Sequence, residues 1–302
     1  MISNKANQKI YILMSFAMLT WAIAWTSAKI LNRYLDFYDL TFLRFFFGFI
    51  SLLPFIIKQS FNNIFSLNNI KYIVLTSILF FIYNICFFKA TFYGDAGKGA
   101  VLVTTINPIF TFLISSILVR QISKNELIGI LFGLIGGLLI LNVFNEGISN
   151  IIHSKNIYFV ICGFIWGIMT VLMSKAQQNI GSLQFIFLCY LLTTFISLPF
   201  ISFDSKIFLL NFDSKFFINF FFVSIGAMSF GTSIYIYATP ILGPVKASVF
   251  IFSVPLLALS IAYFFLNEPI RIEVICGGIM SLFGIYIVNR TPSFNKSKLK
   301  KE

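Results

Sequence analysis

Apolar residues in this chain neither alternate nor mark one stripe of a helix; they run on without a break. Ten stretches of roughly twenty such residues stand out, at 10–30, 40–57, 72–93, 99–119, 127–143, 157–173, 183–200, 216–239, 247–266 and 274–288. That length crosses ~30 Å of hydrocarbon as a helix. Barrel strands would alternate apolar and polar over about ten residues, and no such alternation is seen. The first run is too long for a secretory signal and lacks a small-residue cleavage site after it, so it predicts a retained span. The pattern therefore predicts an all-α polytopic membrane protein with ten transmembrane helices.

The ten runs fall into two sets of five, parted by the polar connector 144–156, FNEGISNIIHSKN. The sets repeat each other at an offset of 148 residues. Ala90-Thr91 meets Ala238-Thr239, Lys98 meets Lys246, Val101 meets Val249, and Gly129 and Gly136 meet Gly277 and Gly284. Pro108 and Pro255 slip by one position. A register kept through lysines and glycines marks an internal duplication. Five is odd, so the second half must enter the membrane upside down. In such inverted repeats the substrate site lies between the halves near mid-membrane. The expected units are 10–142, 157–289 and a basic tail, 290–302.

Composition agrees: 58% of residues are hydrophobic, 40 are Phe, and mean hydropathy is +0.92. Only 11% are charged, against about 25% in an ordinary soluble domain. With the N-terminus inside, thirteen Lys and Arg fall on the cytoplasmic side and six on the other. The positive-inside rule then places both termini in the cytoplasm, and the expected location is a bacterial inner membrane. This bias and the tail account for the net charge of +12. No basic face with interleaved aromatics exists on a soluble element, so nucleic acid is not an expected partner. Cys86, Cys162, Cys189 and Cys276 lie within spans, without CxxC spacing, and read as buried apolar thiols.

Candidate site residues sit at matching depths in the two halves. Trp21 and Trp25 share a face of the first span, and Trp166 and Thr170 repeat that spacing in the sixth. They either line a pocket or pack as interface aromatics. The second span carries Asp39-Leu-Thr41-Phe-Leu-Arg44, and the third Tyr83-Asn84 and Lys89-Ala90-Thr91. Arg44 and Lys89, each about a turn from the outer surface, are substrate groups or snorkelling anchors. Gly129, Gly133 and Gly137, and Gly163 with Gly167, let helices approach closely, within the chain or in a homodimer.

These features together resemble the EamA branch of the drug/metabolite transporter superfamily. The resemblance rests on the Trp-rich first span, the Arg of the second, the Lys-Gly-Ala and Lys-Ala-Ser motifs leading into Pro-broken fourth and ninth spans, and Asn267-Glu268-Pro269 before Gly277. It departs at Val119-Arg120-Gln121, where the first repeat lacks that glutamate, and near Cys189, where the second lacks the arginine. The resemblance implies a secondary transporter working by alternating access.

The chemistry available points the same way. The single histidine, His153, lies in a loop, and no carboxylate falls mid-span, so a nucleophile with a base, a carboxylate pair or a metal cluster cannot be assembled. An enzyme is not expected, nor a cofactor or metal. The expected cavity offers Trp21, Trp25, Tyr83, Asn84, Lys89, Thr104, Thr105, Asn107, Trp166, Tyr235, Tyr237 and Ser253, with Arg44, Lys29, Lys98, Lys175 and Lys246 toward its mouths and Pro108 and Pro255 at its bends. Cationic substrates would need the missing carboxylate. The set suits a small zwitterion or organic anion, such as an amino acid, exported or exchanged. The alternatives are a carrier of larger phosphorylated or nucleotide-type metabolites, or, in another class, a channel or structural subunit.

Overall fold

The computed structural model describes residues 2–57, 59, 61, 64, 66–119, 123–143, 147, 156–202, 212–266 and 271–289. The Glu268 signature, Arg120-Gln121, His153, most of the connector and the basic tail lie outside the described residues. Ten helical spans follow one another among the described residues. They are α1 (Ile2–Leu31), α2 (Phe37–Ile56), α3 (Leu67–Tyr93), α4 (Ala96–Val119), α5 (Lys124–Ile140), α6 (Ile157–Ala176), α7 (Ser182–Ser197, with a 3-10 turn Leu198–Phe200), α8 (Ser214–Leu242), α9 (244–266) and α10 (Ile272–Asn289). Nine are long and apolar enough to cross a membrane. The remaining one, α5, has 17 residues, about 26 Å of helix, and it is packed along α10.

Two helices depart from regular form. In α8, residues Phe222–Thr232 form a π-helical segment between two α-helical ends. In α9, a 3-10 segment, Phe250–Ser253, precedes Pro255. Proline cannot donate to the turn before it, so the tightening falls where its missing N–H would act. Its counterpart Pro108 lies inside α4, which continues through it.

The inversion is visible in how α5 meets α10. A Cβ on Gly136 would stand 2.5 Å from the Gly277 carbonyl oxygen, and one on Gly284 would stand 2.5 Å from that of Gly129. Since Gly129 and Gly136 are the repeat mates of Gly277 and Gly284, each glycine touches its neighbour's mate. That reciprocity is what a two-fold axis between antiparallel helices produces. The protein is thus two inverted five-helix repeats. These glycines are covered inside the chain, and Gly163 and Gly167 pack against Ile106 and Phe110 of α4. Of the two expectations for these glycines, close approach within the chain is the one the packing shows.

Turns and caps set the spans. Gly243, at φ 91°, turns α8 into α9 in a left-handed region open to glycine. Asp36 caps α2 by accepting from the N–H groups of Tyr38 and Asp39. Asp213 caps α8, accepting from the Phe216 N–H at 2.8 Å and the Tyr34 hydroxyl at 2.9 Å. These bonds, the backbone one foremost, hold Asp213 below its ordinary 3.8, and the same contact raises Tyr34 above 10.0.

A depressed carboxylate contributes stability above its unfolded pKa that is lost as pH falls through the folded value. A raised tyrosine contributes below its unfolded pKa and loses that as pH rises through the folded value. The tie between α8 and the α1–α2 turn therefore holds from about pH 4 to about pH 10. Asp213→Asn is expected to lower the melting temperature at neutral pH and to lose that effect as pH falls through the lowered Asp213 value, measured by thermal unfolding in detergent.

Candidate functional site

A small cavity lies near the middle of the spans, where α1, α2, α3, α4, α6, α8 and α9 converge. The sequence expected the first, third, fourth, sixth, eighth and ninth spans there; α2 is the addition. The cavity measures about 40 Å³, room for a few waters. Five of its lining residues are aromatic: Trp21, Trp25, Tyr83, Phe87 and Trp166. Trp21 and Trp166 meet edge to face at 5.0 Å, Tyr83 packs on Trp166 at 4.8 Å, and Trp25 meets Phe87 at 4.8 Å. Thr104 and Asn107 of α4 add polar atoms. The Trp166 indole N–H is buried without a hydrogen-bond partner of good geometry, the Tyr235 hydroxyl lying beside it.

Arg44 is the one basic residue among those lining the cavity. The Asp36 cap starts α2 three residues earlier than the apolar run does, so Arg44 sits seven residues in, about 10 Å along the helix. It is 5% exposed. Its Nη1 donates to Asn84 Oδ1 at 2.6 Å and its Nε to the Val223 carbonyl at 3.1 Å. The Phe87 ring lies 5.0 Å from the guanidinium carbon, which supplies cation–π attraction. A guanidinium carries five N–H donors, and among the described residues only two find acceptors. None of those acceptors is a carboxylate. Burying a charge against neutral partners costs several kcal/mol, so the site is poised to receive a negative group.

The Val223 carbonyl belongs to the π segment of α8, and so do the other carbonyls that serve the site. Ala227 O accepts from Trp21 Nε1 at 3.1 Å and from Thr232 Oγ1 at 3.0 Å, and Met228 O accepts from the Tyr190 hydroxyl at 3.0 Å. Widening a helix from i→i+4 to i→i+5 changes which carbonyls are engaged within it, and such segments concentrate at functional sites. Here side chains from α1, α2 and α7 hold the segment in place.

The remaining expected site residues divide clearly. Trp21, Trp25, Tyr83, Thr104, Asn107 and Trp166 line the cavity. Asn84 holds Arg44. Tyr235 closes the cavity toward the termini, its hydroxyl 3.0 Å from Thr170 Oγ1 and its ring 5.1 Å from Trp21. Thr105 is packed against Gly137. Lys89 lies instead over the rings of Phe37, Tyr38 and Tyr158, clear of the cavity. Tyr237 is half-exposed on the outer surface, and Ser253 bonds back to the Phe250 carbonyl. Lys29 reaches the Gly94 carbonyl and Asp95 across the α3–α4 turn. Lys175 is half-buried near the end of α6. Phe87 and Phe159, which meet Trp25 edge to face and tilted, were hidden among forty phenylalanines.

The model of the EamA-like transporter family matches residues 8–142 and again residues 153–290. The chain belongs to the EamA-like transporter family. Its two matched units are the two inverted repeats, and an EamA-like protein is a membrane transporter, not an enzyme. A protein of Archaeoglobus fulgidus described as an uncharacterized transporter is 24% identical over 291 residues, covering 93% of this chain and 97% of its own. A solved structure described only as "Crystal structure of protein" superposes with a TM-score of 0.70 at 14% identity, over 93% of this chain and 96% of that one. At that identity the likeness speaks for the EamA-like fold alone.

Proposed function

We propose that this EamA-like protein exports or exchanges small metabolites that carry a carboxylate, zwitterionic or anionic, with amino acids as the leading class. Arg44 carries the reading: a buried guanidinium at the cavity wall, with unused donors and no carboxylate partner among the described residues. The fork of Arg matches a carboxylate bidentately, and the aromatic walls suit the apolar or ammonium remainder. Two aromatic clusters flank the cavity, Trp25 with Phe87 and Phe159, and Trp21 with Trp166 and Tyr235. A small central cavity between inverted repeats favours alternating access over a channel. A lone cation there favours a single carboxylate over a phosphorylated or nucleotide-type substrate. Both termini are taken as cytoplasmic, in a bacterial inner membrane, from the distribution of lysine and arginine.

Purified protein in liposomes, offered a panel of labelled amino acids, organic acids, amines and phosphorylated metabolites, tests this. Uptake confined to carboxylates supports it, and uptake of amines or phosphates in their place contradicts it. Pro255 ends the 3-10 segment beside the lining residues Ile251 and Val254. Pro255→Ala is therefore expected to slow turnover more than Pro108→Ala, by about threefold to tenfold, with both proteins folded. Wild-type turnover in both variants would remove proline from the gating step.

A further inference from the structure

The two ends of the α4, α5, α9 and α10 bundle are repeat mates in opposite conditions. At the face away from the termini, a vestibule of about 290 Å³ is lined by Asp95 and Lys98 beside the start of α4 and by Arg271 and Glu273 beside the start of α10. Its floor is a thin apolar seal of Val101, Ile140 and Val274. The mates of Val101 and Ile140 at the other end are Val249 and Val288. These belong to a thicker seal with Phe112, Ile130, Val245 and Phe252. Lys98 is exposed in its vestibule, whereas its mate Lys246 is 6% exposed. Glu126, in the first turn of α5, attracts Lys246; it is the mate of Val274, which adjoins Glu273.

The open vestibule is also aligned with the cavity. Gly97, Val101 and Thr104 stand at i, i+4 and i+7, one face of α4. Gly97 and Val101 line the vestibule, and Thr104 lines the cavity. Lys98 and Glu273, in the first turns of α4 and α10, with Arg271 and the Lys29-paired Asp95 beside them, present both signs of charge to the two ends of a zwitterion. In an exposed setting each such contact is weak, which suits capture and release.

We propose that this vestibule is a loading site for the charged ends of the substrate at the face away from the termini, and that Lys246 with the first turn of α5 is the same site on the other face, closed in this structure. The proposal rests on the transport reading above. The competing explanation is a permanent asymmetry, since Gly97 is matched by the bulkier Val245 in the thicker seal. In that case the Lys246 end never opens.

Single reporter cysteines at these mated positions, Gly97→Cys and Val245→Cys, leave both lysines intact. They are placed in a Cys276→Ser background and reconstituted in vesicles of both orientations. A membrane-impermeant sulfonate thiol reagent is applied with and without an equimolar mixture of the twenty protein amino acids. Without amino acids, the Gly97 reporter is expected to react at least about tenfold faster, matching a closed state favoured by roughly 1.4 kcal/mol. With them, its rate falls and that of the Val245 reporter rises, each by about threefold or more. Glu126→Gln is expected to speed the Val245 reporter further.

Vesicles that transport amino acids while both rates stay unchanged overturn the loading site and leave the transport reading standing. Vesicles that transport none of the mixture overturn that reading, and the loading site with it. For either reporter that fails to fold, Lys98→Ala supplies the second measurement. It should raise KM at that face with turnover kept, more than Lys98→Arg does, and an unchanged KM overturns the proposal.

Discussion

Arg44→Met is expected to abolish carboxylate transport and to leave the protein folded and no less stable. Removing the partner of a desolvated carboxylate costs about 2–5 kcal/mol, and each 1.4 kcal/mol is tenfold. Transport efficiency should therefore fall by about thirtyfold or more. Stability responds differently. The guanidinium is buried against an amide, a carbonyl and an aromatic ring, so methionine removes an uncompensated charge. Against that, Asn84 Oδ1 loses its donor, at about 1–3 kcal/mol. The two effects offset, and the melting temperature should hold or rise. Arg44→Lys keeps the charge and loses the planar fork, so it should fall between wild type and methionine. Initial uptake rates in liposomes, read beside thermal unfolding, separate loss of function from loss of fold. Transport by Arg44→Met within about threefold of wild type would remove Arg44 from the binding site.

Gly277→Val should prevent folding where Arg44→Met does not. The Cβ that Gly277 lacks would collide with the Gly136 carbonyl, and Ile140 closes the same space. Helix backbone cannot yield as a flexible side chain can. Overpacking a side chain typically costs 1–3 kcal/mol, and a clash against a carbonyl on a reciprocal, two-fold contact falls at or above that range. The same reciprocity makes Gly129→Val an equivalent lesion in the other half. Low yield of monodisperse protein in detergent, with the remainder unfolding at lower temperature, is the expected result. Full yield with an unchanged melting temperature would show that α5 and α10 separate without cost.

The fold was legible because the bilayer imposes simple rules on sequence. Run length gave ten helices, and the offset of 148 residues, held through Gly129, Gly136, Lys98 and their mates, gave the inverted duplication, whereas the pairing of α5 with α10 came from the packing. The site was legible in part. Trp21, Trp25, Trp166, Tyr83, Thr104 and Asn107 stand out as polar or large aromatic residues at matching depths, and they do meet.

What the sequence concealed was depth and local form. The apolar run begins at Leu40, whereas the helix begins at Phe37 under its Asp36 cap. That shift moves Arg44 from a mouth to the cavity wall. Run length says nothing of an i→i+5 ladder, so the π segment of α8 and its carbonyl at Val223 left no signal. Lys89 reads from sequence much as Arg44 does. The rings of Phe37, Tyr38 and Tyr158, brought from α2 and α6, decide its place, and only tertiary packing sets that.

The central claim is that the substrate's carboxylate is what the Arg44 cavity recognises. Counterflow tests it most directly, in liposomes holding wild-type protein and loaded with the unlabelled amino-acid mixture. Labelled amino acids and their carboxamide and methyl ester derivatives are offered outside, with protein-free liposomes as the leak control. The account predicts that the free acids accumulate above the leak and that the neutralised derivatives do not. Derivatives that accumulate as fast as the acids would contradict it.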